Sequence, residues 1–238
     1  MSDSPERPAI LAVFHQRRSS AGKLGARLAA RGYRLEPCCP CRGDPLPDAL
    51  EGYAGVVIFG GPQSANDDHL PGIRAELEWL ERRALPSRRP LLGICLGAQE
   101  VARVLGSRIG PHPGGRVEIG YTEVHPTAAA GGFLERPTHF YQWHSETFSI
   151  PPGALHLATS AHFPGQAFGY QGRVYGIEFH PEMTLEMIER WCASQRGSAK
   201  LALPGAEPRE AQIAGYARHA PDSDRWLEAF LDRWLGRG

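Results

Sequence analysis

The chain opens its apolar patterning with AILAVF at residues 9–14, an unbroken run short enough for a buried strand. Residues 21–31 (AGKLGARLAAR) follow with Leu24, Leu28 and the alanines at helical spacing. Residues 33–39 predict a second strand, and Gly55 to Phe59 (GVVIF), β-branched and ending at Gly60-Gly61-Pro62, a stronger one. Residues 71–84 predict a helix: Pro71 suits its first turn, and Ile73, Leu77 and Leu80 share a face. Pro90-Leu-Leu-Gly-Ile is a further buried strand. It runs straight into a helix beginning at Cys95 that Gly106 would end.

Apolar strands without polar alternation, separated by helices, mean a parallel sheet covered on both faces. From about Ser107 the pattern changes to short strands between Gly/Pro turns, at 117–124, 139–150, 155–160 and 166–179. The expectation is therefore an α/β protein. Its central, mostly parallel mixed sheet is flanked by helices in a flavodoxin-like three-layer sandwich, with antiparallel additions. A helix over about 184–194 follows. Residues 196–215, rich in Gly, Ala and Pro, read as a surface excursion, and a helix from Pro221 closes the chain with Trp226, Phe230 and Trp234 on one core-packing stripe. No linker divides the 238 residues, so one domain is expected, with its core over about 9–195.

Charge narrows the function classes. Lys+Arg and Asp+Glu both number 26, a formal net charge of zero that gives no basis for nucleic-acid binding or an anionic membrane surface. No apolar run approaches the roughly 20 residues of a membrane helix. The polar start, MSDSPERPAI, is unlike a signal peptide, so a cytoplasmic protein is expected. Five cysteines, an odd number, argue against a disulfide framework. Cys38, Cys39 and Cys41 in PCCPCRG lack zinc-site spacing, so neither metal nor cofactor is expected.

The chemistry centres on Gly93-Ile-Cys-Leu-Gly97, a G-x-C-x-G turn between strand and helix. This is the nucleophile-elbow pattern with sulfur in place of oxygen, and it would lift Cys95 to the carboxyl edge of the sheet. The helix N-terminus there is expected to lower the thiol pKa. Phe179-His180-Pro181-Glu182 ends another apolar strand. His180 would serve as base and then acid, with Glu182 two residues on to fix its tautomer. A tetrahedral intermediate needs amide donors. Gly61, in a Gly-rich turn, and Leu96, the residue after the nucleophile, would supply the oxyanion hole. The phosphate-loop pattern is absent.

Four segments in order, FGGPQSANDD at 59–68, LGICLGAQ at 92–99, YQWHSETF at 141–148 and GIEFHPEM at 176–183, resemble the class I (triad-type) glutamine amidotransferases. The stretches RVEIGY, WHSETFSIPPGA and QAFGY are similar to the GMP synthetase-like stand-alone members. The resemblance spans about residues 50–190. It implies attack by Cys95 on the γ-carbonyl of glutamine, release of ammonia, and hydrolysis of a thioester with His180 and Glu182. It further implies that Gln99, Trp143, His144 and Ser145 hold the amino-acid end of the substrate. Members often carry Gly-Asp after the Trp-His pair where this chain has Ser145-Glu146, which leaves substrate identity less defined than chemistry. Three functions fit. The first is an amidotransferase whose ammonia acceptor lies on a separate synthetase subunit. The second is a free-standing γ-glutamyl hydrolase or peptidase, and the third a catalytically silent regulatory module. A Cys-elbow α/β-hydrolase fits less well, because its acid normally precedes the histidine.

Overall fold

The computed structural model describes residues 7–236; the polar first six residues lie outside the described range. Five strands form the parallel half of a nine-stranded sheet: β1 (Ala9–Val13), β2 (Arg34–Cys38), β3 (Tyr53–Ile58), β4 (Leu91–Ile94) and β11 (Val174–Ile177). Their order is β2-β1-β3-β4-β11. The antiparallel half continues from β11 through β10 (Ala167–Tyr170), β9 (Leu155–Thr159), β6 (Glu118–Pro126) and β7 (Thr138–His144). The remaining strands, β5 (Ile109–Pro111) and β8 (Glu146–Phe148), pair separately as a small ribbon. The single strand expected over 139–150 is thus two, in different sheets, because the chain turns at Ser145.

The unbroken apolar strands are explained by the two faces they bury. On β1, Ile10 and Ala12 pack toward α1 (Gly22–Ala30) and α6 (Arg209–Trp234), while Leu11 and Val13 pack toward α2 (Pro71–Trp79) and α3 (Leu96–Val104). Alternation exists, but both sides are core, which makes three layers. The helix expected over 71–84 is α-helical to Trp79 and then widens to a π-helical turn over Leu80–Ala84. Trp226, Phe230 and Trp234 are core residues. Trp226 stands edge-on to both Phe140 and Phe179, at 5.0 and 5.3 Å between ring centroids.

Residues 196–215 lie largely at the surface, but much of the stretch is helical and it is anchored at Gln212. After α4 (Leu185–Ala193) the chain forms α5 (Gln195–Lys200), and α6 starts at Arg209 with Pro221 inside it. Gln212 is fully buried. Its Oε1 accepts from Tyr141 Oη (2.7 Å) and Cys192 Sγ (3.3 Å), and its Nε2 donates to the Glu207 carbonyl (2.7 Å). Gln212 is thus a buried hydrogen-bonded anchor in an otherwise largely exposed stretch, and Pro221 marks no helix start. No helix among the described residues is long and apolar enough to cross a membrane.

Candidate active site

The parallel strands deliver their carboxyl ends to one edge, the usual ligand edge of such sheets. Cys95 follows β4 there and caps α3 with φ 51° and ψ −111°. A non-glycine residue in that region stores about 1–3 kcal/mol of strain, so its surroundings must over-determine it. They do. A Cβ on Gly93 would lie 2.6 Å from the Gly97 carbonyl, and one on Gly97 only 2.3 Å from the Ile58 carbonyl oxygen. The two glycines let the turn close onto β3. The Cys95 amide donates to Ile177 O of β11 (2.8 Å), tying the elbow to the strand that leads into His180.

His180 and Glu182 are held from three sides. The His180 amide donates to Tyr141 O of β7 (2.8 Å), and Glu182 O accepts from the Lys23 amide of α1 (2.8 Å). The Trp191 ring of α4 stands edge-on to the imidazole at 5.2 Å. His180 Nδ1 and Glu182 Oε1 are 2.8 Å apart, a hydrogen bond that leaves Nε2 buried and without a partner among the described residues. A Cβ at Gly60 would lie 2.9 Å from His180 Cε1 and 3.5 Å from Cys95 Cβ. A side chain at Gly60 would therefore press on the imidazole and touch Cys95. At Gly61 a Cβ would come within 2.8 Å of Leu96 Cδ2, so the two residues expected to form the oxyanion hole are neighbours.

The expected lowering of the thiol pKa is reversed. Burial, followed by the charge of Glu178, pushes Cys95 far above the ordinary thiol value. The helix N-terminus does not outweigh desolvation in a site this enclosed, where Cys95 is 7% and His180 3% exposed. Burial thus favours the protonated sulfur, for which a neighbouring base is the route to a nucleophile.

Of the residues expected at the substrate's amino-acid end, Gln99 is buried on α3, and its Nε2 donates to Glu178 Oε1 (2.8 Å) and Glu146 O (3.1 Å). Trp143 is half-buried against Tyr141 and Trp191, and so belongs to the aromatic wall behind His180. Both ring nitrogens of His144 are engaged, Nδ1 with Glu146 O (2.9 Å) and Nε2 with Glu118 Oε2 (3.1 Å). Ser145 is half-buried at the turn between β7 and β8. The His144 imidazole is thus committed to a buried network that continues from Glu118 to Ser160 and Gln166, and from Gln166 to Gln142.

Sequence reasoning passed over Glu178 and Glu118. Glu178 is fully buried between Ile177 and Phe179, and burial lifts its carboxyl to about 7 against the opposing pull of His144. A carboxylate inside an apolar strand end was the available signal. Glu118 had none, because its partners come from elements distant in sequence.

The family model described as "Glutamine amidotransferase class-I" matches residues 32–190. The chain belongs to this family. The glutamine amidotransferase-like protein YfeJ of Salmonella typhimurium is 32% identical over 186 residues, covering 74% of this chain and 77% of that protein. A glutamine-hydrolysing GMP synthase subunit of Ignicoccus hospitalis is 31% identical over 176 residues, covering 71% and 82%. Against the GMP synthase of Aeropyrum pernix the identity is 34% over 170 residues, and the match spans 68% of this chain but only 31% of that protein. Among solved structures, a glutamine amidotransferase from Thermotoga maritima superposes with a TM-score of 0.85 at 25% identity, covering 96% of this chain and 98% of that one. One from Methylobacillus flagellatus gives 0.86 at 29% identity, covering 97% and 94%. This class I amidotransferase chain has the mixed sheet and helical layers anticipated from its sequence, and its family is the one its motifs resembled.

Proposed function

We propose that this chain hydrolyses the γ-carboxamide of glutamine through a thioester on Cys95, giving glutamate and ammonia. The observation that supports the reading is the pairing of His180 Nδ1 with Glu182, which leaves a buried Nε2 free to act as base, on an imidazole that meets Cys95 around the same glycine, Gly60.

In the first half-reaction His180 Nε2 takes the thiol proton as sulfur bonds to the carbonyl carbon of the γ-carboxamide. The tetrahedral oxyanion is met by the Gly61 and Leu96 amides, and its collapse breaks the carbon–nitrogen bond as His180 returns the proton to leaving ammonia. Water then enters, gives a proton to Nε2 and adds to the thioester. Collapse releases glutamate, and the proton returns to sulfur. Glu182 keeps the Nδ1 tautomer fixed and balances the imidazolium formed in each half. The raised thiol pKa fits this order, because the proton leaves sulfur only when a substrate carbonyl is in place. A small cleft beside His180 is lined by Gln16, Arg18, Phe59, Arg190 and Trp191.

Gln99, Trp143 and Ser145 would shape the amino-acid end of the site, with His144 holding their loop. The ammonia acceptor in this reading is a separate protein chain in the cytoplasm, in keeping with likeness to one subunit of a synthase. The deciding experiment measures glutamate and ammonia release by purified protein over a panel of glutamine and γ-glutamyl amides. Turnover of glutamine that disappears in Cys95→Ala is expected. Activity on γ-glutamyl peptides but not glutamine would replace this reading with a free-standing γ-glutamyl hydrolase.

A further inference from the structure

Behind the Gly61 turn lies a second cluster that the proposed hydrolysis does not use. His15 follows β1, Glu76 lies on α2 and Glu100 on α3, and all three side chains are wholly buried. His15 Nε2 is 3.2 Å from Glu76 Oε2 and 3.4 Å from Glu100 Oε2. One donor atom from each residue can be chosen so that all lie within 4.8 Å of one another. Both ring nitrogens of His15 and all four carboxylate oxygens lack a hydrogen-bond partner among the described residues.

That inventory is unusual for an ordinary ion pair. Two ionised carboxylates facing one imidazolium leave a net charge of −1, and without an ion one of them must hold a proton, as burial followed by the charge of Glu76 favours at Glu100. Carboxylate oxygens sealed from water without hydrogen bonds cost several kcal/mol each in real proteins. A dication with a neutral imidazole and two carboxylates sums to zero and supplies a partner to one atom of each side chain. The spacing also fits. Zinc bonds to nitrogen and oxygen of about 2.0–2.1 Å in a tetrahedral shell put neighbouring donors about 3.3–3.4 Å apart. Imidazole with carboxylates is a donor set that zinc-type ions accept.

We propose that His15, Glu76 and Glu100 supply three donors of a structural binding site for a tetrahedral divalent cation of the zinc type, with a water enclosed on folding as the fourth. The ion would fasten the end of β1 to α2 and α3. His15 packs directly under the turn, since a Cβ at Gly61 would lie 2.6 Å from His15 Cβ, and Gln63 Nε2 donates to the His15 carbonyl (3.2 Å). The same ion would therefore brace the turn that carries one proposed oxyanion donor. Cys41, set aside on spacing alone, lies on the 3-10 turn Pro40–Arg42, whose backbone packs against α2 at Gly72. With its ligands sealed from solvent, the site would fill as the chain folds.

The test is elemental analysis of the full chain expressed in zinc-supplemented medium and dialysed, beside protein unfolded with chelator and refolded with zinc, with cobalt(II), or with neither. About one zinc per chain is expected, with a higher melting temperature for the zinc-refolded sample and visible d–d bands of tetrahedral intensity for the cobalt one. Glu100→Gln should lose most of the metal. The cobalt spectrum needs no variant, so a Glu100→Gln chain that fails to fold leaves the test intact. Wild-type protein that purifies without a divalent ion and refolds equally well without one, giving no cobalt bands, would overturn the proposal and leave a proton-sharing cluster. Zinc retained in full by folded Glu100→Gln would overturn it as well. Neither readout depends on glutaminase activity, so failure here and failure of the proposed hydrolysis are separable.

Discussion

The two halves of the sheet make an instructive pair. The parallel half, β2-β1-β3-β4-β11, brings the proposed reacting groups to one edge: Gly60 and Gly61 after β3, Cys95 after β4, His180 after β11. The antiparallel half contributes none of the proposed triad. It supplies supports, with Tyr141 O holding the His180 amide and the Glu118–His144–Gln166 network holding the loop before β8. The first half relies on glycines that permit close approach, and the second on buried polar side chains that satisfy one another. Damage to the first should therefore be read in turnover, and damage to the second in stability.

Cys95→Ala is the largest test of that contrast. Glutamate release should fall by about 10⁶-fold with little change in melting temperature, since alanine keeps the Cβ and the strained φ, measured by coupled assay and calorimetry. Glu182→Gln should cost about 10⁴-fold, less than loss of the thiol because the residue orients the base; an equal loss would give it a further role. Gly60→Ala, which pushes a methyl between His180 and Cys95, should lower kcat by about 10²-fold with little change in fold. If it leaves kcat intact, the two side chains are not held as the structure has them.

On the other half, His144→Ala leaves Glu118 Oε2 without its imidazole partner. It should destabilise the chain by about 1–3 kcal/mol in urea unfolding, with a smaller proportional effect on turnover. A pure turnover defect at unchanged stability would mean His144 touches substrate after all. The subtlest test is Glu178→Gln, which keeps an acceptor for Gln99. Burial raises the folded Glu178 pKa from 4.5 to about 7, so the native state holds a proton that the unfolded chain has released. Its contribution is most favourable below pH 4.5 and is lost as pH rises through 7. The variant should gain about 2–3 kcal/mol relative to wild type at pH 8–9 and nothing at pH 4. Alkylation of Cys95 should also be faster in it, because the second cause of the raised thiol pKa is gone.

Most of the parallel half was legible because its signals are local. Buried strands are short apolar runs, helices are periodic, and Gly93, Cys95 and Gly97 sit in one turn whose geometry each residue constrains. The His-Pro-Glu segment is equally local, so its internal hydrogen bond follows from spacing. The C-terminal region misled for a matching reason. Gln212, Glu207 and Gly215 look like loop residues until Tyr121 and Tyr141 are packed against them.

By itself the sequence determined the layer architecture, the carboxyl-edge placement of Cys95 and His180, and the family. Each of these is written in neighbouring residues. Only the tertiary structure decided the protonation of the thiol, because desolvation depends on what encloses the sulfur. It alone brought His15, Glu76 and Glu100 together from three separate elements. It also turned His144 from an expected substrate contact into part of a buried network, since hydrogen-bond partners across a sheet carry no signature along the chain.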